Sequence, residues 1–210
     1  MRRLASHVAA PEVLVIGCGT LAELDRMPPT VRLTVVDIDP RAVAAVLAAG
    51  DPRIVHGQVV AADGGLSALG RTFDAIYAKE VIEHVVAWCP YLGELRDRLR
   101  PGGALWLSTP NYGEPWLAAL ESTVLEGVAW LGGFTRRGLH PSRFSRRSLA
   151  AALAGARFEA VDVRRVSVHL ALVARARAPA AGSADERGPA GGGSLAEASG
   201  VAATPSSNAP

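Results

Sequence analysis

Residues 13–20 read VLVIGCGT. Val13 to Ile16 form a short continuous apolar run, as expected of a strand buried on both faces of a sheet. Gly17 and Gly19 follow, and glycines there let the backbone turn tightly and come close to a ligand. Alone, the turn is a weak signal, because the third glycine of a dinucleotide fingerprint is missing. Residues 32–38, RLTVVDI, are a second apolar run that ends around Asp37. A carboxylate about twenty residues beyond such a turn can accept both hydroxyls of a ribose. Asp37 and Asp39 also suit a capped helix start before Pro40. Strand, glycine turn and carboxylate in this order favour nucleoside binding.

Downstream, strand keeps alternating with helix. PRAVAAVLAAG (40–50) reads as a helix, with Pro40 near its start and Gly50 at its end. RIVHGQVVAAD (53–63) carries a third strand, and FDAIYA (73–78) a fourth, followed by a helix to about Leu99. PGG (101–103) is a turn before a fifth strand, ALWLST (104–109), and SRRSLAAALAGA (145–156) is a further helix. Two β-rich segments, RFEAVDVRRV and VSVHLALVARA, close the pattern without an intervening helix, as an antiparallel pair would. The fold class is therefore α/β, with a mostly parallel sheet and right-handed crossovers. In such sheets ligands bind beyond the carboxyl ends of the strands.

The chain has 210 residues, 49% of them hydrophobic, enough for one domain with a substantial core. We expect that domain to span 1–176. Residues 177–210, rich in Ala, Gly, Pro and Ser, bury too little apolar surface to offset their ordering entropy and read as a disordered tail. The net charge of +2 by itself implies no nucleic-acid partner, although arginines 136, 137, 143, 146 and 147 crowd one segment. Two cysteines make no disulfide framework, no signal peptide is legible, and no apolar run reaches the length of a membrane span. The expected location is cytoplasmic.

The stretches VLVIGCGT, TVVDIDP, FDAIYAKEVIEHV, LRPGGALWLSTPN and HPSRFSRRSLAAALAGARFEAV, in this order, resemble the class I S-adenosylmethionine-dependent methyltransferases. The resemblance implies a Rossmann-like sheet of seven strands with helices on both faces and an antiparallel C-terminal strand pair. It implies S-adenosylmethionine as cofactor, with Gly17 and Gly19 near its methionine part, Asp37 and the adjoining Ile38 at its ribose, and Lys79 in the site. Asp63 is the expected adenine contact, with Gln58 as its competitor. Two positions depart from the family pattern. Val15 stands where an acidic residue is usual, removing a polar anchor, and Leu21 stands where a third glycine is frequent and is expected to crowd the turn. The N-terminal helices that cover the cofactor in relatives are expected to be short or missing.

AKEVIEHV (78–85) follows the fourth strand, where cofactor and acceptor meet in this family. Methyl transfer from a sulfonium is an in-line displacement, so the protein mainly positions the acceptor. For a hydroxyl acceptor, His84 is the candidate base, with Glu83 beside it. Glu80, Glu83 and His84 also offer two oxygens and an imidazole, which suits a divalent metal such as Mg²⁺. The spelling resembles that of ubiquinone-biosynthesis O-methyltransferases and of small-RNA 2′-O-methyltransferases, and by the latter resemblance His140 is a fourth ligand. The plainer reading is a polar helix start favoured by the macrodipole. Asn111, Tyr112 and His140 are the expected substrate-binding residues.

Between the fifth strand and the next match, about 114–135, lies an insertion with Trp116, Leu120, Val124 and Val128 at helical spacing. It reads as a helix on the sheet, as a cover of the acceptor pocket, or as a membrane-surface contact through 116–131. The function expected is O-methylation of a small or lipid-like molecule. The alternatives are an RNA 2′-O-methyltransferase using Glu80, Glu83, His84 and His140, and a degenerate, non-catalytic methyltransferase-like subunit. His169, placed in the last strand, reads as structural.

Overall fold

A computed structural model describes residues 10–21, 26–61, 65–114 and 140–182. Seven strands form one sheet: β1 (Glu12–Ile16), β2 (Arg32–Asp37), β3 (Ile54–Val59), β4 (Phe73–Lys79), β5 (Leu99–Pro110), β6 (Glu159–Val166) and β7 (Ala171–Arg177). Their order is β3-β2-β1-β4-β5-β7-β6. The first five strands are parallel, whereas β7 runs antiparallel to both β5 and β6. The order reverses at β1/β4, where loops leaving neighbouring strands diverge and open a crevice.

The apolar runs of β1 and β2 are buried on both faces, as their composition demands. Leu14, Ile16 and Val36 join one core cluster, with Ile76, Leu105 and Leu107 from the central strands. Helices α2 (Trp88–Asp97) and α3 (Arg146–Gly155) cover this side through Leu92, Leu95, Leu149 and Leu153. Val13, Val15, Leu33 and Val35 face the other cluster, into which α1 (Pro40–Ala48) inserts Val43 and Val46. Asp39 caps α1 by accepting from the Arg41 N–H, and Ser145 caps α3 in a reciprocal pair with Ser148.

Four readings change. The helix expected directly after β4 begins only at Trp88; residues 82–84 form a single 3-10 turn, so Glu80, Glu83 and His84 share no α-helical face. The PGG stretch lies inside β5, where Gly102 adopts φ 73° and the register with β4 shifts. His169 sits in the β6–β7 turn, beyond both strands. Ordered pairing also continues past residue 176: the Ala178 N–H donates to Gly103 O, and the Gly102 N–H to Pro179 O. Asp63, the 116–131 pattern, Arg136 and Arg137 lie outside the described residues, as does the tail from 183 onward.

Candidate active site

The carboxyl ends of β1, β2 and β4 border a cleft of about 420 Å³. Gly17 and Gly19 form one wall, Asp37 and Ile38 another, and Lys79, Glu80 and His84 a third. Gly17 holds φ 70°, and a Cβ there would lie 2.6 Å from Val81 Cγ2 and 3.2 Å from Lys79 O. Only glycine tolerates both the backbone and the contact. The Gly17 and Cys18 N–H groups donate to Val36 O, which ties the turn to β2.

Asp37 organises this corner. Its Oδ2 accepts from the Gly19 N–H at 3.0 Å, and its Oδ1 from the Asp39 N–H at 3.0 Å. Each oxygen keeps a lone pair, so the carboxylate can still accept from a vicinal diol. Burial, and then the Asp37 charge, push the Cys18 thiol up to about 11, so it stays protonated beneath the turn.

Leu21 does not lie over the turn. Its φ of 48° directs the side chain into the second core cluster, where it is 6% exposed. Val15 is buried in the same cluster, and the two border a smaller cavity of about 220 Å³ behind the glycines. The cleft thus keeps a glycine turn on one wall and, on another, a carboxylate that can accept from a vicinal diol, and these fit S-adenosylmethionine.

Past β4 the chain reverses at Glu80, whose φ is 52°. Positive φ in a non-glycine residue is costly and gathers at functional sites. The Glu80 N–H donates to Ser108 O, and its Oε1 accepts from Ser108 Oγ at 2.9 Å. The 3-10 turn then sends Glu83 inward, to 1% exposure, where Oε2 accepts from Thr109 Oγ1 at 3.0 Å. Burial is the main cause that raises the Glu83 carboxyl to about 7; the Glu80 charge adds to it, and backbone and Thr109 hydrogen bonds oppose it.

His140 reaches the same place from a distant segment. Its ring centroid is 4.8 Å from that of His84, edge to face. Ser142 fixes the approach: its N–H donates to Glu83 O and its Oγ to Val85 O at 2.6 Å. The His140 Nδ1 pairs with the Tyr112 hydroxyl at 2.5 Å, and the Arg143 guanidinium lies 4.9 Å above the Tyr112 ring. One ligand atom each from Glu83, His84 and His140 lie within 4.8 Å of one another. Glu80 is not part of this trio; its carboxylate accepts from Ser108, and its charge still reaches Glu83.

Of the expected substrate residues, Tyr112 and His140 therefore come together beside His84. Asn111 differs: it is buried, its Nδ2 donates to His169 O, and its Oδ1 accepts from the Gly113 N–H. Its amide holds the loop and the β6–β7 turn together. Gln58, half-buried on the edge strand β3, meets His56 at 3.4 Å and does not line the cleft. Thr109, Ser142 and Tyr91, none of them singled out in the sequence, prove to shape the site. No periodicity or motif marked them, since each acts through contacts far along the chain.

A family profile described as Methyltransferase domain matches residues 1–163. The chain is 35% identical over 75 residues to a ubiquinone biosynthesis O-methyltransferase of Parvibaculum lavamentivorans, covering 36% of this chain and 28% of that protein. It is 30% identical over 131 residues to a trans-aconitate 2-methyltransferase of Deinococcus radiodurans, covering 60% of this chain and 49% of that one. It thus spans half or less of the length of these curated relatives. Among solved structures, a putative methyltransferase in complex with the Haloferax volcanii Trm112 activator superimposes with a TM-score of 0.64 at 14% identity, covering 85% and 88% of the two chains. That likeness concerns the fold. With the matching profile over most of its length and this fold, the chain belongs to the methyltransferase-domain family, among the class I S-adenosylmethionine-dependent methyltransferases.

Proposed function

We propose that this protein transfers the methyl group of S-adenosylmethionine to an oxygen atom of a small or lipid-like acceptor. The observation that carries the reading is the position of His84, which lines the cofactor cleft while packing against His140 and beside buried Glu83. An acceptor hydroxyl approaching there attacks the sulfonium methyl in line; the C–S bond breaks, S-adenosylhomocysteine leaves, and the hydroxyl proton passes to His84. Gly17, Gly19, Asp37, Ile38 and Lys79 hold the cofactor. Tyr112 orients His140 through Nδ1.

Glu83, His84 and His140 also supply one carboxylate and two imidazoles, a donor set that fits Mn²⁺ or Zn²⁺ as well as Mg²⁺. A divalent cation held by them would lower the pKa of the acceptor hydroxyl. Similarity to relatives named as a ubiquinone biosynthesis O-methyltransferase and a trans-aconitate 2-methyltransferase supports a small-molecule oxygen acceptor over RNA.

The test is turnover of S-adenosylmethionine with phenolic and carboxylate acceptors, with EDTA and with added Mg²⁺ or Mn²⁺. Methyl esters or ethers formed by the wild type, and lost in His84→Ala with cofactor affinity unchanged, support the reading. Salt-sensitive binding of a short RNA in place of such turnover would favour the RNA alternative. Cofactor binding with no acceptor at all would favour the non-catalytic one.

A further inference from the structure

Among the described residues, the sheet ends on β3 at one edge and on β6 at the other. Strand β6 carries Glu159, Asp162, Arg164 and Arg165, and its register breaks between Glu159 and Asp162. Charges and irregularities of that kind keep an edge from pairing with another chain. Strand β3, IVHGQV, has no charged residue. Its Val55 is 39% exposed and its Val59 47%, and Leu47 on the adjoining α1 is 45% exposed. Beyond Arg41, the exposed side of α1 bears only Leu47 and alanines. A helix that is apolar all round is ordinarily covered.

We propose that β3 pairs with β3 of a second copy of this chain, antiparallel about a twofold axis at Gly57, so that one sheet runs through both. The strand itself selects a second copy as the occupant. Residues 55–59 read Val-His-Gly-Gln-Val, nearly the same in both directions. With Gly57 opposite its own copy, Val55 meets Val59 of the second chain. His56 then meets Gln58, a pair that already approaches to 3.4 Å within one strand. The backbone is turned for such pairing. The Val60 N–H donates inward to Asp37 O, so alternation along the strand turns the N–H and C=O groups of Gly57 and Val59 outward. Two residues opposed in this way exchange both N–H···O bonds, and the Gly57 pair closes on the axis. The irregularity in β3 falls between Ile54 and His56, clear of that centre.

Gly57 faces α1: a Cβ there would come within 3.0 Å of the Leu47 side chain, which therefore rests on the glycine beside the axis. Each Leu47 then meets its twofold mate, and the apolar surface of α1 and β3 is covered. Neither edge strand carries a charge, so no like pair opposes this isologous contact. Antiparallel pairing sends the carboxyl ends of the two sheets in opposite directions, which leaves each cleft open and complete within its own chain.

The experiment is sedimentation velocity of the full chain over a dilution series. The wild type should convert from monomer to dimer as concentration rises. Val55→Lys should raise the dissociation constant about tenfold or more, since a lysine on an edge strand opposes pairing. The double variant Val55→Lys/Val59→Glu should regain the dimer, because the twofold register sets each lysine opposite a glutamate of the second copy. Both positions are exposed and neither lines the cleft, and circular dichroism checks that each variant is folded. A wild type that stays monomeric throughout would overturn the proposal, as would a dimer indifferent to Val55→Lys. Loss of the dimer in Val55→Lys without recovery in the double variant would overturn the twofold register, and with it the second copy as occupant of this edge.

Discussion

Glu83→Gln isolates the buried carboxyl at the centre of the site. The side chain is 1% exposed, and its pKa stands at about 7 against an ordinary 4.5. Burial is the leading cause, and the Glu80 charge adds to it. In metal-free buffer, the folded protein keeps this proton between pH 4.5 and about 7, where the unfolded chain has released it. This group's contribution to stability is therefore full below about pH 4.5, falls as pH rises from there, and is lost once pH passes about 7. At 1.36 kcal/mol per unit, the shift sets a ceiling of roughly 3 kcal/mol on the loss. For a domain of this size that corresponds to roughly 5–10 °C in Tm. The amide introduced by Glu83→Gln keeps an oxygen for Thr109 and cannot ionise, so this component of the decline should vanish in the variant. The assay is urea or thermal unfolding of both proteins with EDTA at pH 5, 6, 7 and 8. The wild type should lose stability relative to the variant from pH 5 to about 7 and run nearly level with it from there to pH 8. Parallel profiles would refute the buried-proton argument. A divalent cation on Glu83 requires the ionised form, so cation-induced stabilisation of the wild type should be larger at pH 8 than at pH 5.

Gly17→Ala should lower stability by about 1–3 kcal/mol and weaken S-adenosylhomocysteine binding, because its Cβ would meet Val81 and Lys79 O in a left-handed backbone; unchanged denaturation and affinity would contradict this. Asp37→Asn should weaken the same ligand about 10- to 100-fold in titration, since the amide nitrogen no longer accepts from Gly19 or a ribose hydroxyl. Any rise in Tm caused by Mn²⁺ or Zn²⁺ should disappear in His140→Ala, while S-adenosylhomocysteine affinity stays within about twofold, because His140 does not border the cofactor cleft.

The parts of the fold legible in the sequence are those set by local burial. Val13–Ile16 and Arg32–Asp37 read as strands because both of their faces are covered, and Asp37 falls at the carboxyl end where spacing from Gly17 placed it. Pro40 marked the start of α1 in the sequence, and the Ser145 cap that starts α3 acts within one turn as well. Glu80, Glu83 and His84 do not begin the helix expected directly after the fourth strand. The left-handed backbone at Glu80 and the single 3-10 turn instead send Glu80 to Ser108 and Glu83 to Thr109. Helix α2 starts at Trp88 with no side-chain cap, so nothing local announces it. The meeting of His140 with His84 depends on Ser142 bonding to Glu83 and Val85, more than fifty residues away in sequence. Such contacts belong to tertiary packing, and no local pattern encodes them. Asn111 shows the converse: a polar residue in a family motif whose amide serves the loop.

The central claim is that the cleft between the glycine turn and Asp37 binds S-adenosylmethionine. Calorimetric titration of the full chain with S-adenosylmethionine and S-adenosylhomocysteine, alongside Asp37→Asn, tests it most directly. Saturable one-to-one binding of both ligands to the wild type is expected, weakened in the variant whether or not EDTA is present. No heat of binding from a folded wild-type protein, or equal affinity of the two proteins, would contradict it.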